Sequence, residues 1–304
     1  MRSPCRPSRW RRQARHRLIA WNPPGSASNG LSFSSLRNIS YYLSSLTAQP
    51  KRLTNFHGEI AALALGKTEK IEWTNDGFTM DGVLTYPPDF VAGRTYPLVL
   101  FIHGGPAAAS IESFNTRAQL MAARGWLIFE PNYRGSDNLG SKFMRGIFND
   151  AGAGLGRDVM AGIEVLKKRG FVDATRMAVS GWSYGGYMTT WMIGHYQIWK
   201  AAVAGAAVTD WMGQYNIGDG NVSRASQFGG SPWTGDFEKA YREQSPITAP
   251  PQIKTPTLIL SDTGGVRLPR LLVCQNAATL SSNTEAAAGG RSESFDGRLC
   301  AVTS

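Results

Sequence analysis

Gly181-Trp182-Ser183-Tyr184-Gly185-Gly186 stands between two segments of different character. Before it runs the short apolar stretch Arg176-Met177-Ala178-Val179-Ser180. After it comes Tyr187-Met188-Thr189-Thr190-Trp191-Met192-Ile193, which reads as a helix. Strand, Gly-x-Ser-x-Gly turn and helix form the context that a nucleophile elbow needs. A serine hydroxyl attacks well only when it is exposed, oriented and deprotonated by a neighbouring base. The glycines let the chain turn sharply and let the helix pack close to the strand. The turn also presents the Tyr184 N–H to a developing oxyanion. Ser183 is therefore the candidate nucleophile and Tyr184 a candidate backbone donor. The plain alternative, a glycine-rich turn without chemistry, is weakened by a second motif upstream.

That motif is His103-Gly104-Gly105-Pro106, directly after the continuous apolar run Tyr96-Pro97-Leu98-Val99-Leu100-Phe101-Ile102. Such a run suits a buried parallel strand. Glycines at its carboxyl end let the backbone approach a substrate carbonyl, and Gly105 N–H is the candidate second oxyanion donor. Losing one such donor typically costs about 3–4 kcal/mol of transition-state stabilisation.

Around these motifs the chain alternates. Lys70–Trp73 and Asp81–Tyr86, either side of Asn75-Asp76-Gly77, read as a β-hairpin with a longer loop. Ser113 to Arg124 reads as helix and Trp126 to Glu130 as strand. Gly156 to Arg169 carries Val159, Ile163 and Leu166 at helical spacing. Ala201 to Ala206 and Thr255 to Leu260 are further strands, and residues 210–250 read as loop and short helices. Strands alternating with helices predict an α/β fold with a mostly parallel sheet and an antiparallel hairpin at one edge. Ligands in such sheets bind at the carboxyl ends of the strands, where both motifs lie.

Composition narrows the function. The chain has 304 residues, 42% hydrophobic and 11% aromatic, enough for a sizeable core. Its net charge of +10 is concentrated at the start, where residues 1–17 hold seven arginines and no acid. The remaining 25 basic residues face 22 acids, so the body is only +3. A basic arm on a near-neutral body argues against nucleic acid as partner. The arm lacks the apolar region of a signal peptide, and no run approaches the ~18–20 apolar residues of a membrane span. No membrane partner and a cytoplasmic location are therefore expected. Cys5, Cys274 and Cys300 suggest neither a disulfide framework nor a zinc site. No cofactor motif is present. Residues 1–34 read as a disordered basic arm, and residues 35–68 as strand-like pieces too short for a sheet domain.

Several spaced motifs together carry a resemblance. His103-Gly104-Gly105-Pro106, Asn132-Tyr133-Arg134-Gly135-Ser136, the Ser183 elbow, Ser245-Pro246-Ile247 and Lys254-Thr255-Pro256-Thr257-Leu258-Ile259-Leu260 stand in the order seen in serine peptidases of the prolyl oligopeptidase family. The chain looks most like the acylaminoacyl-peptidase and dipeptidyl-aminopeptidase branch. The resemblance covers residues 69–263 and implies the α/β-hydrolase fold for them as the catalytic domain. Residues 35–68 resemble the end of the family's β-propeller. The resemblance implies hydrolysis of short or acylated peptides through an acyl-enzyme on Ser183. A histidine would act as base and acid, and an aspartate would orient it. It also makes Trp211 and Tyr215 candidates for substrate binding, beside a plain role in core packing.

The chain departs from that pattern after Leu260. The turn Ser261-Asp262-Thr263-Gly264-Gly265 carries Gly265 where the family's acid is expected, and Asp262 reads as a turn residue. The four histidines are His16, His57, His103 and His195. His195 lies twelve residues beyond Ser183, about 18 Å along a helix, and His103 belongs to the oxyanion loop. Neither a triad Asp nor a triad His is found. Residues 264–304 read as an aberrant, disordered tail. The expectation is a sheet lacking its last strand and His loop, low solubility, and a reading frame broken near residue 264. Two other functions stay open: a catalytically impaired fragment or pseudoenzyme, and an esterase-like hydrolase on the same elbow.

Overall fold

The computed structural model describes residues 58–248 and 253–260, together with the strand pairings of residues 40–41, 51–52 and 299–302. The basic arm, His16, His57, Asp262, Gly265 and most of the tail lie outside the described residues. The chain divides into two compact units, with the main boundary between Leu63 and Ala64. In the first unit β1 (Ser40–Tyr41) pairs antiparallel with β2 (Lys51–Arg52), and α1 is one turn, Gly58–Ala61.

The second unit is built on a sheet. The hairpin β3 (Thr68–Asn75) and β4 (Phe78–Thr85) leads into β5 (Tyr96–Ile102). Then follow α2 (Thr116–Ala122), β6 (Leu127–Pro131), α3 (Ser141–Met144) and α4 (Ala153–Lys168). The elbow strand is β7 (Val172–Trp182), followed by α5 (Tyr184–His195) and β8 (Ala201–Gly205). Three short helices come next, α6 (Trp211–Ile217), α7 (Asn221–Phe228) and α8 (Phe237–Glu243), before β9 (Thr257–Leu260) and β10 (Leu299–Val302). The sheet order is β10-β9-β8-β7-β5-β6-β4-β3. Strands β5 to β9 run parallel, and the hairpin closes one edge antiparallel. No helix among the described residues is long and apolar enough to cross a membrane.

Alternation along the strands feeds two faces. Leu98, Leu100 and Ile102 join the larger core with Leu155, Val159 and Ile163 of α4 and Met188 of α5. Val99 joins Ile128 and the alanines Ala118 and Ala122 of α2 on the other face. Helix α5 is buried from Tyr184 to Ile193. Apolar and small residues all round a helix are what a position at the centre of the fold requires.

Two expectations need correcting. The hairpin has no longer loop. Asn75 pairs with Phe78, leaving Asp76 and Gly77 at φ 46° and 77°. Left-handed conformations at both loop positions give the tight two-residue turn whose twist matches the strands, and Asp-Gly is a preferred pair for it. The edge beside β9 is also not bare: Leu299–Val302 pairs antiparallel with Thr257–Leu260. An open edge exposes a row of unpaired backbone groups, and the apolar Leu-Cys-Ala-Val segment satisfies them. The sheet's last position is thus filled, in the reverse direction to its parallel neighbours, and four residues of the tail are strand.

Candidate active site

Ser183 sits between the end of β7 and the start of α5, with φ 60° and ψ −116°. A non-glycine residue held there costs of order 1–3 kcal/mol and persists only where its surroundings over-determine it. Here they do. The Ser183 N–H donates to Gly205 O at 2.9 Å, and the Tyr187 N–H donates to Ser183 O at 3.0 Å. A Cβ on Gly185 would lie 2.1 Å from Ile102 O. Glycine at that position is the condition for the helix to enter so close to β5.

The loop after β5 meets the elbow. A Cβ on Gly104 would lie 2.8 Å from Trp182 O and 3.4 Å from the Ser183 Cβ. His103-Gly104-Gly105-Pro106 therefore passes beside the serine. Gly105 adopts φ 126°, a left-handed value open to glycine. Among the described residues no acceptor pairs with the N–H of Gly105 or of Tyr184. Tyr184 N–H also stands at the positive end of the α5 dipole.

The side chain of His103 is held by partners other than Ser183. One ring nitrogen, Nδ1, lies 2.8 Å from Gly104 O, and Nε2 lies 2.9 Å from Ser136 Oγ. Its ring stacks on Tyr133, centroids 4.5 Å apart, and the Tyr133 hydroxyl donates to His103 O at 2.8 Å. Burial holds the imidazole below its ordinary pKa. One nitrogen is thus engaged by the glycine loop and the other by Ser136. His195, at the far end of α5, stacks on Trp191 at 3.9 Å and places Nδ1 2.9 Å from Trp191 O.

The Tyr133–Ser136 segment is anchored in turn by a buried ion pair. Asp158 of α4 is fully buried and accepts from Arg134 N, Nε and Nη2 at 3.0, 2.7 and 2.6 Å. It accepts also from Asn75 Nδ2 at 2.8 Å. Arg134 Nη2 reaches Asp76 as well, at 2.7 Å, and these carboxylates hold the guanidinium pKa above its usual value. Sequence reasoning quoted Asn132–Ser136 only as a motif and missed this chain of supports. Twenty-four residues separate the pair, and no local pattern announces a contact of that kind.

Trp211 and Tyr215 lie on α6. Trp211 is wholly buried, its indole N–H donating to Gln244 O at 3.0 Å and its ring packing on Tyr187 and Tyr184. Of the two roles open to it, core packing is the one its surroundings describe. Tyr215 is only partly buried, edge-on to Tyr241. Ser245 explains its own motif: its hydroxyl accepts from Trp211 N and donates to Tyr241 O, tying α6 to α8.

Over 194 residues the chain is 32% identical to an uncharacterized peptidase, YuxL, of Bacillus subtilis, covering 63% of this chain and 29% of that protein. Over 172 residues it is 31% identical to dipeptidyl-peptidase 5 of Porphyromonas gingivalis, covering 56% and 25%. The chain thus spans under a third of the length of these relatives. Among solved structures, an acylaminoacyl peptidase of Pyrococcus horikoshii superposes with a TM-score of 0.75 at 24% identity. That match covers 81% of this chain and 39% of the other. It establishes the fold as α/β-hydrolase. A model of the Prolyl oligopeptidase family matches residues 112–283, which include the elbow, and the chain belongs to that family.

Proposed function

We propose that this chain carries the catalytic domain of a serine-type peptidase acting on short or acylated peptides, with Ser183 forming the acyl-enzyme. One observation carries the reading. The strained Ser183 turn stands beside a glycine loop, and the N–H groups of Tyr184 and Gly105 have no acceptor among the described residues. Ser183 Oγ would attack the scissile carbonyl and these two amides would receive the negative charge on its oxygen; collapse would break the C–N bond, the amine leaving with the proton given up by the serine. Peptide substrates are supported by the relatives' names, dipeptidyl-peptidase 5 among them. The same reading takes residues 69–263 as the catalytic domain and residues 35–68 as the end of a propeller. Tyr215, with part of its ring open, is the better of the two aromatic candidates for contact with substrate.

A second reading is a chain that keeps the elbow but has lost turnover. It is favoured by the two described histidines, both held by partners other than Ser183. Removing the histidine of such a triad costs about 10⁶ in turnover in subtilisin, the system from which that figure comes. Labelling with a fluorophosphonate probe separates the readings. Labelling lost in Ser183→Ala supports the peptidase. Folded protein that takes no label supports the impaired chain.

A further inference from the structure

The end of the sheet opposite Ser183 carries five exposed cations. Each parallel strand is preceded by an exposed basic residue: Arg94, Lys200 and Lys254 stand within three residues of β5, β8 and β9, Lys168 ends α4 on one face of the sheet before β7, and Arg124 follows α2 on the other face before β6. Among the described residues none of the five makes an ion pair. The acids nearby are taken up by other bases. Among the described residues Glu164 pairs with Lys167, Glu69 with Arg169 and Asp173 with Arg176, and Asp89 at this end makes no ion pair. Five adjacent strands span about 19 Å at the usual spacing of ~4.8 Å. An extended peptide covers that in about six residues, with side chains on one face recurring roughly every 7 Å.

A cleft of about 710 Å³ opens at the same end, between the chain entering β5 and the chain entering β7. Pro87, Pro88, Phe90 and Phe171 give it apolar walls, and Lys67 and Arg169 stand at its side. The rings are packed on one another. Phe90 stacks on Tyr96 at 5.1 Å and meets Tyr86 and Phe171 edge-on at 4.8 and 5.6 Å. With its ring partnered in this way, Phe90 offers no platform for a nucleic-acid base. It suits an aliphatic side chain.

We propose that this face is a docking surface for an acidic polypeptide segment in extended form. Alternate carboxylates pair with the cations around the strand entries, and an apolar side chain enters the cleft. Exposed complementary charges of this kind govern association and fade with salt. The surface is at the far end of the sheet from the elbow, so its test is independent of whether Ser183 is active.

The probe is a fluorescein-labelled octapeptide of glutamates alternating with leucines, followed by anisotropy at 50 mM salt. Saturable binding is expected, weakened at least fivefold at 500 mM salt and about tenfold by Lys200→Glu with Lys254→Glu. Arg94→Glu with Arg124→Glu tests two of the other cations, so that a folding failure in one pair leaves the other. Melting curves like that of the parent establish that each variant is folded. The glutamine version of the peptide should not bind, and replacing its leucines with glycine should weaken binding. Four results overturn the proposal: no binding of the acidic peptide below millimolar concentration, equal binding of the glutamine version, no loss in either folded charge-reversal pair, or tighter binding of a thymidine octanucleotide.

Discussion

Replacing Asp158 with alanine is expected to destabilise the fold by about 4 kcal/mol. The carboxylate is fully buried and receives four donors: Arg134 N, Nε and Nη2, and Asn75 Nδ2. Orphaning a buried donor costs ~1–3 kcal/mol, and breaking a buried ion pair typically costs 3–5 kcal/mol in all. Here the cost is moderated because Arg134 Nη2 keeps Asp76, a partner open to water. The midpoint of thermal unfolding should fall by about 8–16 °C, at ~2–4 °C per kcal/mol for a domain of this size. Urea unfolding gives the free energy directly. The control is the double variant Asp158→Ala with Arg134→Met. It should be more stable than Asp158→Ala alone, because the guanidinium, left there with only Asp76 and with its Nε without an acceptor, is no longer buried. A loss below about 1.5 kcal/mol in the single variant, or a double variant less stable than it, would refute the assignment of this pair as the anchor of the Tyr133–Ser136 segment.

Glu130 gives a pH-dependent prediction. It is buried on β6, receives Asn115 Nδ2, and its carboxyl is pushed by burial up to about 7. A carboxyl whose folded pKa is raised binds more protons folded than unfolded between roughly pH 4.5 and 7. Its favourable contribution is complete below that window and is lost as pH rises through it, by about 3 kcal/mol. Glu130→Gln should therefore be more stable than the parent at pH 8 and close to it at pH 4.5; urea midpoints that differ equally at both pH values would contradict this. Gly185→Ala should cost at least 3 kcal/mol or prevent folding, since its Cβ would fall 2.1 Å from Ile102 O. A variant that melts like the parent would show that the elbow can relax. Fluorophosphonate labelling of the parent, absent in Ser183→Ala, is the fourth expected outcome.

Much of the fold was legible because burial in a parallel sheet leaves a simple trace. Tyr96–Ile102 is apolar throughout, and the strand observed has the same bounds. The elbow was legible because glycine there is dictated by backbone approach, which Gly185 illustrates. Other features depend on partners distant in sequence. The hairpin turn was read too long because Asn75 looked like a loop residue, yet its side chain is engaged by Asp158 and its backbone pairs with Phe78. The strand at Leu299–Val302 follows from an open edge at β9, which only tertiary structure reveals. The supports of the glycine loop, His103, Tyr133, Ser136 and Arg134, were visible as motif letters but not as a connected unit.

That unit has a consequence in proton bookkeeping. Gly104 O, His103, Ser136 Oγ and Tyr133 O form three consecutive contacts, at 2.8, 2.9 and 2.7 Å. Filling all three takes three hydrogens, and a neutral imidazole with one hydroxyl supplies two. Tyr133 O already accepts the Ser136 N–H at 3.0 Å, so it loses least by going without the hydroxyl. The balance selects the Nδ1–H tautomer, donating to Gly104 O, with the Ser136 hydroxyl turned toward Nε2. Nitrogen-15 shifts of the ring would show this tautomer directly, and a protonated Nε2 at neutral pH would rule it out. In that state His103 has no lone pair to offer a substrate or a serine. It acts as a rivet between the glycine loop beside Ser183 and the Tyr133–Ser136 segment.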